Sequence, residues 1–173
     1  MDARRGVLAA LLLGMLGWSP AHADPVDFAT VWTAMSSPRC GNCHAPGRGP
    51  TIGDKHDPHP FSVRRGTQGR GVAGNRCDGC HEAENSPGKD TPPGAPNWRM
   101  PRASFRIPFF GRKRRDVCRQ LAPRAARVTK LLGTDPLHAW PWSPGGTRSV
   151  PGVSRDELLF ALTKWRDAGA PCP

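Results

Sequence analysis

Apolar positions repeat at helical spacing close to both ends of the chain. Near the start, the i, i+3, i+4, i+7 repeat is formed by Phe28, Val31, Trp32 and Met35. Asp24-Pro25 is typical of a helix start, so this pattern predicts an amphipathic helix that runs to about Ser36. Near the end, Ser154 and Glu157 form a capping box and Gly169 is typical of a helix end. The inner face of this last helix is predicted to be Leu158, Leu159, Leu162 and Trp165.

Between these helices the pattern is weaker and is interrupted by Gly and Pro. Residues 116–121 and 124–132 are predicted to be helical pieces separated near Pro123, and a short helix is expected from Cys77 to Glu84. The stretches 45–76, 86–111 and 141–152 have the composition of loops, and no segment shows a strand pattern. Aromatic residues expected to contact the core or a bound cofactor are Trp98, Phe105, Phe109 and Phe110. The fold class is therefore mainly α with long Gly/Pro-rich loops.

Composition shows that side chains alone would give this chain a small core. Of 173 residues, 20 are Gly, 20 are Pro, none is Tyr, and only 37% are hydrophobic. This disfavours a multi-span membrane protein, a coiled coil and a large α/β enzyme. It is compatible with a disordered basic chain or with a compact fold organised around a bound group.

The N-terminus has the features of a secretory signal peptide, predicted to span residues 1–23. Arg4 and Arg5 precede an uncharged apolar run that ends at Trp18, and small residues lead up to Ala23. Because the run is shorter than a membrane-spanning helix of about 20 residues, we expect cleavage after Ala23 and export to the periplasm. One domain, residues 24–173, then remains.

The remaining 150 residues carry 23 basic and 13 acidic side chains, a net charge of +10. Such an excess favours an acidic partner or surface. Export and the scattered distribution of the charges argue against nucleic acid. The run from Arg112 to Arg115 is either a solvated loop or a docking patch for an acidic protein.

Two CxxCH motifs contain the candidate chemistry. They are Cys40-Gly41-Asn42-Cys43-His44 and, 37 residues later, Cys77-Asp78-Gly79-Cys80-His81. Two thiols on one turn can form thioether bonds to one haem, and the adjacent His can bind its iron. The sequence therefore predicts two covalently bound haem c groups, whose apolar plates would supply much of the missing core.

Three other uses of these cysteines are possible, and each fits the sequence less well. A four-sulfur zinc site does not need the His that follows each pair. A thioredoxin-like redox pair normally lies next to a βαβ unit, and the sequence shows no pattern of such a unit. Disulfides between cysteines so close in sequence are strained.

Each iron then needs a distal ligand or has an open face. Two candidates, His56 and His59, lie in a Pro-stiffened loop, and one of them is expected to reach an iron; His59 is slightly preferred. The other could contact a propionate, bind the second iron or lie in solvent. For the other iron, His138 is preferred to Met100, because Asp135-Pro136 would start a short helix that presents it. Axial Met would raise the reduction potential relative to His.

The two further cysteines, Cys118 and Cys172, most simply form a disulfide in an oxidising compartment. This bond would close a long loop and tie the C-terminus to the middle helix, and it is expected to stabilise the fold by about 2–4 kcal/mol. The first and last helices could pack together as the terminal helices of cytochrome c do, which is an analogy.

Several segments of the chain resemble those of known proteins: 39–44, Gly53-Asp54 with His56 and His59, 76–81, Pro92-Pro93-Gly94-Ala95-Pro96-Asn97-Trp98, and 169–173. In these segments the chain resembles a small family of exported dihaem cytochromes, often labelled as the cytochrome-like subunit of isoquinoline 1-oxidoreductase. The resemblance implies a partnership with a molybdenum hydroxylase that passes substrate electrons onward. The Arg-rich segment 99–115 departs from the family pattern.

These observations lead to three functional hypotheses. The preferred one is an electron carrier, not an enzyme, that works between a partner oxidoreductase and a downstream acceptor. The second is a dihaem peroxidase-like enzyme with one open iron, for which no acid/base residue is identifiable. The third is a metal-binding interaction module without haem.

Overall fold

A computed structural model describes residues 28–88 and 91–173. The predicted signal peptide and the Asp24-Pro25 helix start lie outside the described residues. None of the helices within the described ranges combines the length and the apolar character needed to span a membrane. The described part of the chain is a small, partly helical fold with few strands, which agrees with the coarse fold class expected from sequence.

Six α-helices occur in the described ranges. They are α1 (Phe28–Met35), α2 (Pro38–Gly41), α3 (Arg114–Leu121), α4 (Ala125–Thr134), α5 (Pro136–Ala139) and α6 (Arg155–Asp167). Single 3-10 turns cover Pro60–Ser62, Cys77–Gly79, Ala103–Phe105, Ala122–Arg124 and Trp140–Trp142.

Helices α1 and α6 pack against each other, as their apolar faces predicted. The Phe28 and Trp165 rings lie 5.1 Å apart, and Val31, Leu158 and Leu162 are fully buried. Leu159 is partly buried against the same core. Burial of these apolar side chains is the main favourable contribution to this part of the fold.

Helix α6 begins and ends where its sequence signals predicted. The Ser154 hydroxyl accepts a hydrogen bond from the Glu157 backbone N–H at 3.1 Å, and the Glu157 carboxylate accepts one from the Ser154 N–H at 2.7 Å. Beyond the last turn, Gly169 has a φ of +83°, which favours glycine. The exposed Glu157 carboxyl has a pKa held below its usual value by these hydrogen bonds.

The middle helices also follow the prediction. Helices α3 and α4 are separated by the 3-10 turn that contains Pro123, and Asp135 caps α5 by accepting a hydrogen bond from the Leu137 N–H. The predicted disulfide between Cys118 and Cys172 is present and fastens the C-terminus to α3.

Two expectations for the loop region were wrong. The predicted helix from Cys77 to Glu84 is only the 3-10 turn Cys77–Gly79, because the chain leaves helical geometry at Cys80. Two antiparallel pairs also occur where no strand was expected: β1 (Thr51–Ile52) pairs with β2 (Asp57–Pro58), and β3 (Gly71–Val72) pairs with β4 (Asn75–Arg76). Strands of two residues are too short to show an alternating pattern.

Candidate cofactor site

The two CxxCH motifs adopt matching turns, although their surroundings differ. The first begins in α2 and the second in the 3-10 turn Cys77–Gly79. In each, the histidine N–H donates to the carbonyl of the first cysteine at 3.0 Å: His44 to Cys40, and His81 to Cys77. Each turn therefore holds two cysteines and a histidine on one short segment.

Each motif histidine is oriented by a backbone carbonyl. His44 Nδ1 lies 2.7 Å from the Ile107 oxygen, and His81 Nδ1 lies 2.6 Å from the Pro93 oxygen. A carbonyl oxygen can only accept, so Nδ1 carries the proton and Nε2 of the neutral ring is the unprotonated nitrogen. This is the arrangement that orients a histidine for metal ligation.

Each imidazole also stacks on an aromatic ring. The His44 ring lies 4.0 Å from the Phe109 ring, and the His81 ring lies 4.5 Å from the Trp98 ring, both with an interplanar angle of 7°. A hydrogen bond and a stacking contact together restrict the rotation of each ring. Phe109 and Trp98 were among the aromatic residues expected to contact the core or a cofactor. Phe109 is buried as expected, whereas Phe110 from the same set is 38% exposed.

Burial keeps both histidines neutral. It lowers the pKa of His44 to about 4, against an opposing effect of the hydrogen bond to Ile107. Burial likewise lowers the pKa of His81, again opposed by its hydrogen bond to Pro93. Both rings are therefore in the form that binds a metal at neutral pH.

Burial acts on the motif thiols in the opposite sense. It raises the pKa of Cys40 to about 11 and that of Cys43 to about 12. Cys77 also has a raised pKa, with burial as the largest cause. A thiolate is disfavoured at these sulfurs, whereas a thioether carries no charge and is compatible with burial.

Both motifs contribute to one cavity of about 770 Å³. This volume falls within the range of about 300–1,000 Å³ that is typical of ligand pockets. The motif residues on its wall are Asn42, Cys43, Cys77, Cys80 and His81. Trp98 and Trp140, whose rings meet edge to face at 4.9 Å, supply part of its apolar wall.

Of the four candidate distal ligands, two line this cavity. His59 is half-buried, with its ring centre 6.1 Å from that of His81. Met100 is 3% exposed, and its backbone N–H donates to the Gly69 carbonyl at 2.8 Å.

The other two candidates lie outside this cavity wall. His56 borders a second cavity of about 410 Å³ and stacks on Phe110, with ring centres 3.8 Å apart. His138 is half-buried, with Nδ1 3.4 Å from an Asp135 carboxylate oxygen. Burial lowers the pKa of His138, and the Asp135 charge opposes this shift.

Buried arginines next to the motifs have unused hydrogen-bond donors. Arg39 is 5% exposed and pairs with Asp54, but its Nε has no partner; Arg39 lines the larger cavity. Arg65 is 6% exposed, and its Nη1 donates to the Pro101 carbonyl at 2.7 Å while Nη2 has no partner. Buried donors of this kind fit an anionic ligand such as the carboxylates of a porphyrin.

The residues around the larger cavity therefore fit haem c. Its wall carries the thiols of Cys43, Cys77 and Cys80, the oriented imidazole of His81, aromatic rings and the buried Arg39, whereas Cys40, His44 and Arg65 are not on this wall. Within residues 28–88 and 91–173, no three His, Cys, Asp or Glu side chains are close enough to hold a metal ion by themselves. The described residues thus do not form a four-sulfur zinc site.

Several parts of this site had no sequence signal. The groups contributed by Ile107 and Pro93 are backbone carbonyls, which every residue has, so no sequence motif could indicate them. Arg39 and Arg65 are buried, although arginine is among the least buried residue types. The direct adjacency of Arg39 to Cys40 was the one available hint.

Comparison of the chain with protein-family models, with curated proteins and with solved structures found no match.

Proposed function

We propose that this protein is an exported dihaem c-type cytochrome that transfers electrons between a partner oxidoreductase and a downstream acceptor. The supporting observation is the repeated geometry of the motifs: a CxxCH turn whose histidine is neutral, stacked on an aromatic ring, and hydrogen-bonded through Nδ1 to a carbonyl. Two independent segments with the same arrangement are difficult to explain by packing alone.

In this proposal each motif holds one haem. Cys40 and Cys43, and likewise Cys77 and Cys80, form the thioether bonds, while His44 and His81 bind iron through Nε2. Haem iron supplies one-electron chemistry by changing between its ferric and ferrous states. The protein contributes fixed ligand orientation, an apolar enclosure and positive charge from buried arginines.

The shared cavity supports electron exchange within the chain. Cys43 from the first motif and Cys77, Cys80 and His81 from the second lie on the same cavity wall. Groups bonded at these positions are necessarily neighbours. A single small domain with two neighbouring redox groups is suited to relaying electrons.

The charge of the chain supports an acidic docking surface on the redox partner. The segment from Arg112 to Arg115 is exposed, as a docking patch requires. By the resemblance noted above, a molybdenum hydroxylase is the partner class we propose. Complementary charge would speed association and make it sensitive to salt.

The proposal is tested on protein expressed with its leader in a host that matures c-type cytochromes. We expect a mass equal to residues 24–173 plus two haems, and a pyridine haemochrome of two haem c per chain. A Cys77→Ser/Cys80→Ser variant should retain only one, and Cys118→Ser should retain both.

Ligand binding separates a carrier from an enzyme. Low-spin spectra that cyanide and carbon monoxide leave unchanged support the carrier. A high-spin haem that turns over peroxide would instead support the dihaem peroxidase-like alternative. Colourless protein with the mass of the bare polypeptide would refute both and favour a haem-free interaction module.

A further inference from the structure

We propose that His59, from the loop that follows the first motif, is the distal ligand of the iron bound by His81 of the second motif. The inference rests on the proposed function, because it assumes haem at Cys77 and Cys80. The assignment pairs His59 with the second motif, although His59 is closer in sequence to His44 of the first motif than to His81.

The main evidence for this inference is the distance between the His59 and His81 rings. The ring centres of His59 and His81 are 6.1 Å apart, with an interplanar angle of 54°. A metal–imidazole bond is about 2 Å long, and the bonded nitrogen lies roughly 1 Å from the ring centre, so trans imidazoles on one metal have centres about 6 Å apart. Direct packing of two rings would allow shorter separations, such as the 3.8 Å between His56 and Phe110.

The hydrogen bonds of both rings leave the same nitrogen available. His59 Nδ1 lies 2.8 Å from the Pro60 carbonyl oxygen, as His81 Nδ1 lies 2.6 Å from that of Pro93. Each Nδ1 must donate to a carbonyl, so each neutral ring has an unprotonated Nε2. Both residues also line the larger cavity.

The backbone holds His59 in place on both sides. It follows directly after β2, and Pro58 and Pro60 restrict the chain before and after it. The next turn is tied to the second motif, because the Asn75 side chain donates to the Phe61 carbonyl at 2.8 Å. Asn75 belongs to β4, which leads into Cys77. The His59 loop and the second motif thus form one connected unit.

His56 does not share these features, although it lies in the same loop. Its ring stacks on Phe110 and packs on the first motif so closely that a Cβ at Gly41 would lie 2.8 Å from His56 Cε1. Its Nδ1 lies 3.4 Å from the Thr51 hydroxyl rather than against a carbonyl. His56 is therefore a matched control for His59.

The assignment has a consequence for the other haem. Since His59 closes the second site, the candidates for the iron at His44 are His138 and Met100. The second haem would be a bis-histidine centre with the lower potential that such ligation favours.

The test compares His59→Ala with His56→Ala in the full-length, haem-loaded protein. We expect both variants to keep two haems by pyridine haemochrome. His59→Ala should convert one haem of the two to a high-spin form that binds carbon monoxide, and added imidazole should restore its low-spin EPR signal. His56→Ala should leave both haems low-spin.

The results also distinguish failure of this inference from failure of the proposed function. If His59→Ala retains two low-spin haems, or if the haem that becomes high-spin in His59→Ala is the one at Cys40 and Cys43, His59 is not the distal ligand of the second haem. If the wild-type protein carries no haem, the proposed function itself fails, and the haemochrome assay reveals this before any variant is made.

A second measurement assigns the haem and does not depend on variants. In NOESY spectra of the reduced wild-type protein, ring protons of His59 and His81 should contact meso-protons of one haem, identified by its thioethers to Cys77 and Cys80. Contacts from His59 to the haem at Cys40 and Cys43, or to neither haem, would contradict the proposal.

Discussion

The helical part of the molecule and the motif-bearing loops bury different kinds of residue. Fourteen of the sixteen residues in the main hydrophobic cluster of the described chain lie on α1, α3, α4 and α6. Among the described residues between 36 and 106, the buried apolar ones are only Ala45, Cys77, Ala95 and Met100. All four buried polar residues of the described ranges lie in this loop region: Ser37, Arg39, Asn42 and Arg65.

This difference indicates two sources of stability in one small domain. The helices bury enough apolar surface to pack on their own side chains. The loops instead surround a cavity and are held by backbone hydrogen bonds, short hairpins and arginine contacts. In our proposal, the haem groups provide there what side chains provide among the helices.

The largest expected effect comes from removing the haem groups. In a variant with Ala at Cys40, Cys43, Cys77 and Cys80, amide protection should be lost across residues 42–106 because their core is missing. Protection in α1 and α6 should persist. Hydrogen exchange followed by mass spectrometry measures both regions, and equal protection in the haem-free and loaded proteins would contradict the comparison.

Next in size is the loss of a large core side chain from the helical part. Trp165 is fully buried against Phe28, and its indole N–H donates to the Pro171 carbonyl at 2.7 Å. Trp165→Ala should lower the free energy of unfolding by about 3–5 kcal/mol. Phe160→Ala is the control on the same helix, because Phe160 is 63% exposed, and it should cost less than about 0.5 kcal/mol.

Removal of the disulfide should have a somewhat smaller effect, confined to the helical part. Cys118 and Cys172 are 54 residues apart, so their bond restricts a long loop in the unfolded chain. Cys118→Ser/Cys172→Ser should lower the free energy of unfolding by about 2–4 kcal/mol. The haem spectra should be unchanged. A perturbed Soret band would show that loss of the disulfide in the helical part also disturbs the motif-bearing loops.

The smallest expected effect on stability concerns Arg39 in the loop region. Its ion-pair partner Asp54 is 53% exposed on its side chain and stays solvated in Arg39→Gln, whereas the Arg39 side chain itself is only 4% exposed and loses packing, so the cost should be about 1 kcal/mol. Loss of a buried positive charge at the cavity favours the ferric state, so one reduction potential should fall. Redox titration measures this shift, and Arg48→Gln, at an exposed residue, should leave both potentials in place.

The helical part could largely be predicted from sequence, whereas much of the loop region could not. The ends of α6 follow from Ser154, Glu157 and Gly169, whose side chains or backbone freedom act locally. The disulfide followed from the number of cysteines left over. These signals depend on residue identity and short spacing, which a sequence displays directly.

The loop geometry depends on contacts that residue identity does not specify. The Ile107 and Pro93 carbonyls that orient His44 and His81 are backbone atoms 63 and 12 residues away from their partners. The 77–84 segment contains no periodic apolar pattern to indicate how soon its helix ends. The sequence identified both His56 and His59 as candidate distal ligands. Only their different surroundings in the structure distinguish one from the other.

The unequal exposure of the cysteines in the second motif has a consequence for how electrons would reach a partner. Cys77 is buried and Cys80 is exposed. Cys80 lies on the wall of the larger cavity, so a conjugated group bonded to both sulfurs would fill the space to which Cys80 is exposed. Its edge at Cys77 would be enclosed by the chain, and electrons would have to reach a docked molecule from another edge.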